Sequence, residues 1–298
     1  MKRATALVAC IGLIVTGCSA HKAVKVADRT PRGGTLRVAI PMGDSPMTQD
    51  DPAALDPQLS YIGDQWEVLR CCLLRTLLSH TGQATQAGGA ILRPDLAERM
   101  PEVSPDGLTW TFSLKHGIHY APPFQGTEVT SSDFVRAFNR EAKIGKDAYA
   151  FYFDVIRGFD DYQSGKSDSI SGITTPDRYT LILHLTEPTG DLGDRLILAG
   201  TAPIPALPSN PSAPFGVATG HDQGYGPFVV ATGPYMFAGT ASLDYSRPPK
   251  ELAPPSGFER GKVYTLVRNP SWTRSSDDLR PAYADSIVIS IVPVTETP

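Results

Sequence analysis

The stretch DGLTWTFSLKHGIHY, Asp106 to Tyr120, decides how the rest of the chain is read. Asp106-Gly107 is a turn pair. Leu108, Trp110, Phe112 and Leu114 then alternate with Thr109, Thr111, Ser113 and Lys115, the period of two expected of a strand with one buried face. If that face is core, Trp110→Ala costs about 3–5 kcal/mol. Lys115-His116-Gly117 makes the next turn, and Ile118 and Tyr120 resume the alternation. In VTSSDFVRAFNR downstream, Thr130 is a cap, Asp133 stands three residues later in the capping-box position, and Phe134, Ala137 and Phe138 share a helical face. The unit reads as strand, turn, strand, loop and capped helix. His116 and His119 point to opposite faces of a strand, and no Cys or carboxylate stands beside them at ligand spacing. They are read as turn and rim positions rather than as a metal site.

Working outward, GGTLRVAI (Gly33 to Ile40) reads as a first buried strand. An Asp- and Pro-rich loop from Gly43 to Gln58 leads into a helix expected from about Gly63 to Ser79. Cys71 and Cys72 lie inside it, where Val68, Leu69, Cys72, Leu73, Thr76 and Leu77 recur at helical spacing, so both are read as small apolar core positions rather than as a disulfide scaffold. AYAFYFDVIRGFDDYQSGK reads as a helix with an aromatic face that breaks at Gly165. ISGITTPDRYTLILHL, Ile170 to Leu185, reads as two strands around a Pro176-Asp177 turn. GDRLILAG is expected to be helical, and KVYTLVRNPSW and ADSIVISIVPV complete the chain as strands. The architecture is α+β, that is mixed α/β. With 27 prolines and 27 glycines among 298 residues, long stiffened loops are expected.

The N-terminus, MKRATALVACIGLIVTGC, sets two cations before an apolar run from Ala4 to Val15 and small residues before Cys18, the order of an export signal. Val15-Thr16-Gly17-Cys18 is similar to the lipobox of bacterial lipoproteins. Residues 1–17 are therefore expected to be a lipoprotein signal peptide, Cys18 the lipidation site, and residues 18–31 a polar tether at the outer face of the membrane. Ser19-Ala20-His21-Lys22 has S-x-x-K spacing but stands in that tether, without a strand-to-helix context, and is set aside. Without Lys2 and Arg3, 25 cations face 31 carboxylates, a net charge of -6 with no basic stripe. That excludes nucleic acid as a partner.

Catalytic patterns are missing: no G-x-S-x-G elbow, no H-E-x-x-H helix and no Walker-type loop. Asp50-Asp51 and Asp160-Asp161 are adjacent pairs, which diverge on any regular element and read as solvated turn residues. Without a nucleophile or base a hydrolase is not expected. Binding is the better class, with no cofactor and no metal. Tyr149, Tyr152 and Tyr235 have the amphipathic character that suits either a cleft wall for a small organic ligand or core packing.

Five segments in order complete the reading: ALDP (Ala54 to Pro57), the block from Asp106 to Arg140, ISGITTPDRYTLILHLTEP, ATGPYMF and LVRNPSW. Together they resemble the solute-binding proteins of peptide and nickel ABC importers, the oligopeptide- and dipeptide-binding type. The resemblance implies a periplasmic-binding-protein-like type II fold and an extracytoplasmic protein that hands an oligopeptide or dipeptide to ABC permease subunits. It implies a first-lobe main domain from residues 32–65 and 190–298, an inserted subdomain at 66–189, and a second lobe that this chain is expected to lack. By the same resemblance the cleft is lined by Asp51, Pro52, Ala53 and Ala54, by Tyr149 and by Thr232. Strand-like backbone in the Asp51–Ala54 loop would pair with an extended peptide, with Pro52 unable to donate. The alternative is an interaction protein that docks a separately encoded second lobe or the permease.

Overall fold

Gly33 and Gly34 take left-handed φ angles of 90° and 71°, open to residues without a Cβ. They turn the chain into β1, Thr35–Pro41. The structure, a computed structural model, describes residues 31–208, 224–247 and 251–294. The expected signal peptide and Cys18 lie outside the described residues.

Helix α1 covers Gly63–Val68 and continues as a π turn over Leu69–Leu73. It then opens into extended chain, so the helix expected to reach Ser79 ends early. The cause lies far along the sequence. The Leu73 carbonyl, which a continuing α-helix would give to the amide four residues on, accepts instead the N–H groups of Thr232 at 3.0 Å and Gly233 at 2.8 Å. Cys71 and Cys72 sit in that turn and are bonded to each other as a disulfide, with Cys71 exposed and Cys72 buried. The expected core position holds for Cys72 and is corrected for Cys71, and the two are bonded rather than independent.

Strands β2, Leu78–Ser79, and β3, Arg93–Pro94, form a small ribbon. Next come β4, Glu102–Val103, β5, Thr109–Ser113, and helix α2, Ser131–Ile144. The capping box of α2 closes as the sequence foretold: Asp133 Oδ2 accepts the Thr130 N–H at 2.8 Å. The aromatic run beyond it is not one helix. It folds as a 3-10 turn at Ala150–Phe153 and a five-residue α3, Phe159–Gln163. Aromatic side chains lose rotamer freedom in a helix, and here their mutual stacking prevails. Strands β6, Ile173–Asp177, and β7, Thr180–His184, follow. Their turn is Arg178-Tyr179, two residues later than expected, and Asp177 Oδ1 accepts the Tyr179 N–H at 2.7 Å. Helix α4 is confined to Leu192–Arg195. The remaining strands are β8, Tyr235–Phe237, β9, Phe258–Glu259, β10, Val263–Arg268, and β11, Ser286–Val292.

Two main sheets result. One runs β1-β11-β10-β8 with β9 added on β10, and the other runs β4-β5-β7-β6, antiparallel throughout. Among the described residues β1 pairs only with β11, in parallel, from Thr35 opposite Ser286 to Pro41 opposite Val292. It is therefore an edge strand rather than a buried one, and Leu36 on it is 51% exposed. A large hydrophobic cluster reaches from Met47 to Ile289 and serves both sheets, and Ala121, Ala231 and Met236 form a second, small one. The fold is mixed α/β, as the sequence foretold.

Within β5 the alternation is graded. Phe112 and Leu114 are buried whereas Trp110 is half-buried, its ring 6.4 Å from that of Phe112. The core load therefore rests on Phe112. Phe112→Ala is expected to cost about 3–5 kcal/mol and Trp110→Ala clearly less, measured by urea denaturation. Equal losses would return Trp110 to the core.

Candidate ligand-binding site

The ALDP segment is a knot of short turns. Asp51 Oδ1 accepts the Ala53 N–H at 2.7 Å, and the Asp51 carbonyl accepts the Ala54 N–H at 3.0 Å. Leu55, at a left-handed φ of 54°, donates its N–H to Gln65 Oε1 at 2.7 Å. The strand-like backbone expected of Asp51–Ala54 is absent: these amides are spent inside the turns. Of the four residues, Pro52 is exposed, Asp51 and Ala53 half-buried, and Ala54 fully buried. The Ala54 carbonyl lies against Gly226 so closely that any Cβ there would collide with it.

Asp56, the next residue, is the anchor. It is fully buried and receives Arg140 in a two-pronged pair, Nη1 to Oδ1 at 2.6 Å and Nη2 to Oδ2 at 2.7 Å. Arg140 also donates to Gln58 Oε1, and its guanidinium lies 5.1 Å from the Tyr225 ring centroid. The Tyr225 N–H reaches Asp56 Oδ2 at 3.2 Å. Glu141, beside Arg140 on α2, is buried against Gly145 and Gly200, where an added Cβ would strike its carboxyl. Burial pushes that carboxyl up to about 8, with Arg140 opposing and Asp56 reinforcing the shift.

Tyr149 stands at the half-open end of this arrangement. Its hydroxyl donates to the Tyr61 carbonyl at 3.2 Å, and its ring lies 5.4 Å from Trp66 and 5.5 Å from Tyr152. Phe151, 57% exposed, lies 4.4 Å from Tyr152 and 6.4 Å from Tyr149, so Trp66, Tyr149, Tyr152 and Phe151 form an accessible aromatic shelf. Burial raises the Tyr149 hydroxyl above its ordinary range, and Tyr152 adds to the shift. A cavity of about 460 Å³ opens on the Trp66 side, walled by Ile197 and Leu198 and rimmed by Arg70 and His80.

Thr232 is placed elsewhere. It is 1% exposed, and its Oγ1 accepts the Arg75 N–H at 2.9 Å. It acts as a clamp on the segment after α1, without open surface for a ligand. Tyr235 is likewise core, its hydroxyl donating to the Ala284 carbonyl at 2.7 Å. Tyr149 thus joins the segment downstream of the ALDP turn, through Tyr61 and Trp66, while Thr232 is tied to Leu73 and Arg75.

Sequence reasoning missed the buried charges. Arg75 Nε meets Asp95 Oδ1 at 2.8 Å, and Arg280 Nη2 meets Asp95 Oδ2 at 2.7 Å. Arg280 also pairs with Asp277 at 3.2 Å. Burial alone would raise the Asp95 carboxyl, but Arg280 and Arg75 hold it below the usual range. For Arg140 and Glu141 a signal existed. They continue the spacing of Phe134, Ala137 and Phe138 onto the buried face of α2, which requires partners for both.

The chain takes a periplasmic-binding-protein-like type II fold. The chain belongs to the bacterial extracellular solute-binding proteins, family 5, whose middle region matches residues 92–298. The oligopeptide-binding protein AmiA of Streptococcus pneumoniae is 35% identical over 101 residues, 33% of this chain and 15% of AmiA. Among solved structures, clavulanic acid biosynthesis oligopeptide binding protein 2 superposes with a TM-score of 0.67 at 27% identity, covering 88% of this chain and 40% of that one. Listeria monocytogenes OppA, solved with a bound peptide, superposes at 0.58 and 19% identity over 87% of this chain and 42% of its own, a likeness of fold. The chain therefore spans under half the length of these relatives.

Two outcomes test the buried charges. Asp95→Ala leaves Arg75 and Arg280 without their shared carboxylate and is expected to cost about 3–5 kcal/mol in denaturant unfolding. Glu141 binds its proton more tightly folded than unfolded, so its contribution to stability is full below its ordinary 4.5 and falls as pH rises towards about 8. Thermal melts of Glu141→Gln should gain on the parent across that window. A gap that stays constant with pH would contradict the shift.

Proposed function

We propose that this chain is the lipid-anchored receptor of an ABC importer and that its solute is an oligopeptide or dipeptide. The observation that carries the reading is the accessible shelf of Trp66, Tyr149, Phe151 and Tyr152, tied through the Tyr61 carbonyl to the segment that follows the ALDP turn. Rings with one polar tip suit peptide side chains of varied size, because they offer apolar area without demanding one shape. The names of the relatives, oligopeptide-binding proteins, support the same class. Delivery to a permease and attachment through Cys18 belong to this reading, the latter supported by the Val15–Cys18 pattern. The parts at residues 32–65 with 190–298, and at 66–189, are its proposed main domain and inserted subdomain. Asp51, Pro52, Ala53 and Tyr149 are its proposed contacts, with the buried Ala54 and Thr232 holding the wall from behind.

A second reading, docking of a separately encoded lobe or of the permease, draws on Met42 and Val294, 50% and 64% exposed at one end of the β1–β11 pair. Calorimetry with a peptide library on the isolated chain separates the two. Heat of binding supports a receptor that works alone, and silence across the library supports docking. If the shelf is the contact, Tyr149→Ala weakens binding by about tenfold, 1.4 kcal/mol, with an unchanged melting temperature. Labelling of cells with a fatty-acid analogue should mark the parent and leave Cys18→Ser unmarked.

A further inference from the structure

The Cys71–Cys72 disulfide takes no part in the proposed recognition, yet it occupies a turn that holds the Thr232 segment. Within the Leu69–Leu73 π turn, the Leu74 N–H returns to the Leu69 carbonyl at 2.8 Å. The turn holds its neighbours through carbonyls. Arg280 Nε donates to the Arg70 carbonyl at 2.7 Å, and the Thr232 and Gly233 amides share the Leu73 carbonyl. Gly233 approaches the Cys72 and Leu73 backbone so closely that a Cβ could not be accommodated. The two sulfur-bearing residues are unequal, since Cys71 is exposed whereas Cys72 is 5% exposed. A reductant therefore meets Cys71 first.

We propose that Cys71–Cys72 is a thiol-exchange site: a dithiol opens it, and the opened turn loosens the carbonyl clamp on Thr232 and Gly233. The chemistry balances without a further reagent. One thiolate of the dithiol attacks Cys71 Sγ, the Cys71–Cys72 bond breaks, and Cys72 leaves as a thiolate that takes up a proton. The second thiolate of the dithiol then attacks its own sulfur in the mixed disulfide and displaces Cys71. The chain gains two electrons and two protons, and the dithiol is oxidised to a disulfide. Because adjacent cysteines close a ring through their own peptide unit, opening it restores torsional freedom to the backbone that carries the Cys72 and Leu73 carbonyls. Its bearing on ligand uptake rests on Thr232 holding the cleft wall, whereas the exchange itself does not.

The test uses the full chain, purified without reductant, alkylated with N-ethylmaleimide and peptide-mapped to separate this pair from Cys10 and Cys18. Before reduction Cys71 and Cys72 should resist the reagent and their peptide should be lighter by two hydrogens. After brief dithiothreitol treatment both should be alkylated, Cys71 ahead of Cys72. Hydrogen exchange at the Thr232 and Gly233 amides should then rise several-fold, while the α2 amides stay as they were. Immediate alkylation of both residues without reductant would overturn the proposal, and so would exchange at Thr232 and Gly233 that does not change on reduction. Neither readout involves a peptide ligand, so the result stands whatever the cleft takes.

Discussion

The buried pair of Asp56 and Arg140 is the constraint on which the rest depends, because it joins segments 84 residues apart without access to water. Two charges in such a place are tolerable only when every donor and acceptor is engaged. Asp56 takes both prongs of the guanidinium and the Tyr225 N–H, and Arg140 adds Gln58 and the Tyr225 ring. The pair ties the ALDP turns to α2, and α2 backs the antiparallel sheet. With Asp56 fixed, Leu55 reaches Gln65, Trp66 stands beside Tyr149, and the aromatic shelf has a floor.

A second buried network does the same for the other wall. Asp95 collects Arg75 and Arg280, and Asp277 returns to Arg280, so the exit from α1, the edge of the small ribbon and the segment after β10 meet at one carboxylate. Asn269 extends the junction by donating Nδ2 to the Gly233 carbonyl at 2.9 Å. Networks of this kind contribute less to net stability than to uniqueness of arrangement, which is what a binding surface shared among distant segments requires.

What the sequence made legible was local. The alternation of β5 and the capping box of α2 are written in residues within three positions of each other, and the structure reproduces both. The mixed architecture and the family followed from the order of such pieces. What stayed hidden was decided at a distance. The early end of α1 follows from amides near Thr232, whose side chain meets Arg75 across 157 residues. The aromatic run after α2 had helical spacing, but ring stacking set its shape. The partnership of Trp66 with the Tyr149–Phe151 rings carries no spacing signal, since it joins segments far apart in the sequence. Arg140 and Glu141 were the readable exception, being charges at core spacing.

A double-mutant cycle on Asp56 and Arg140 tests this account most directly. Asp56→Asn, Arg140→Gln and the double variant would be unfolded in urea, with the Tyr149 ring environment followed by near-ultraviolet dichroism. Each single variant is expected to lose about 3–5 kcal/mol, and the double variant no more than the larger of the two, because removal of one partner already removes the pair. The aromatic signal should fall in all three. Losses that simply add, with the aromatic signal preserved in folded protein, would show that the pair does not organise the site.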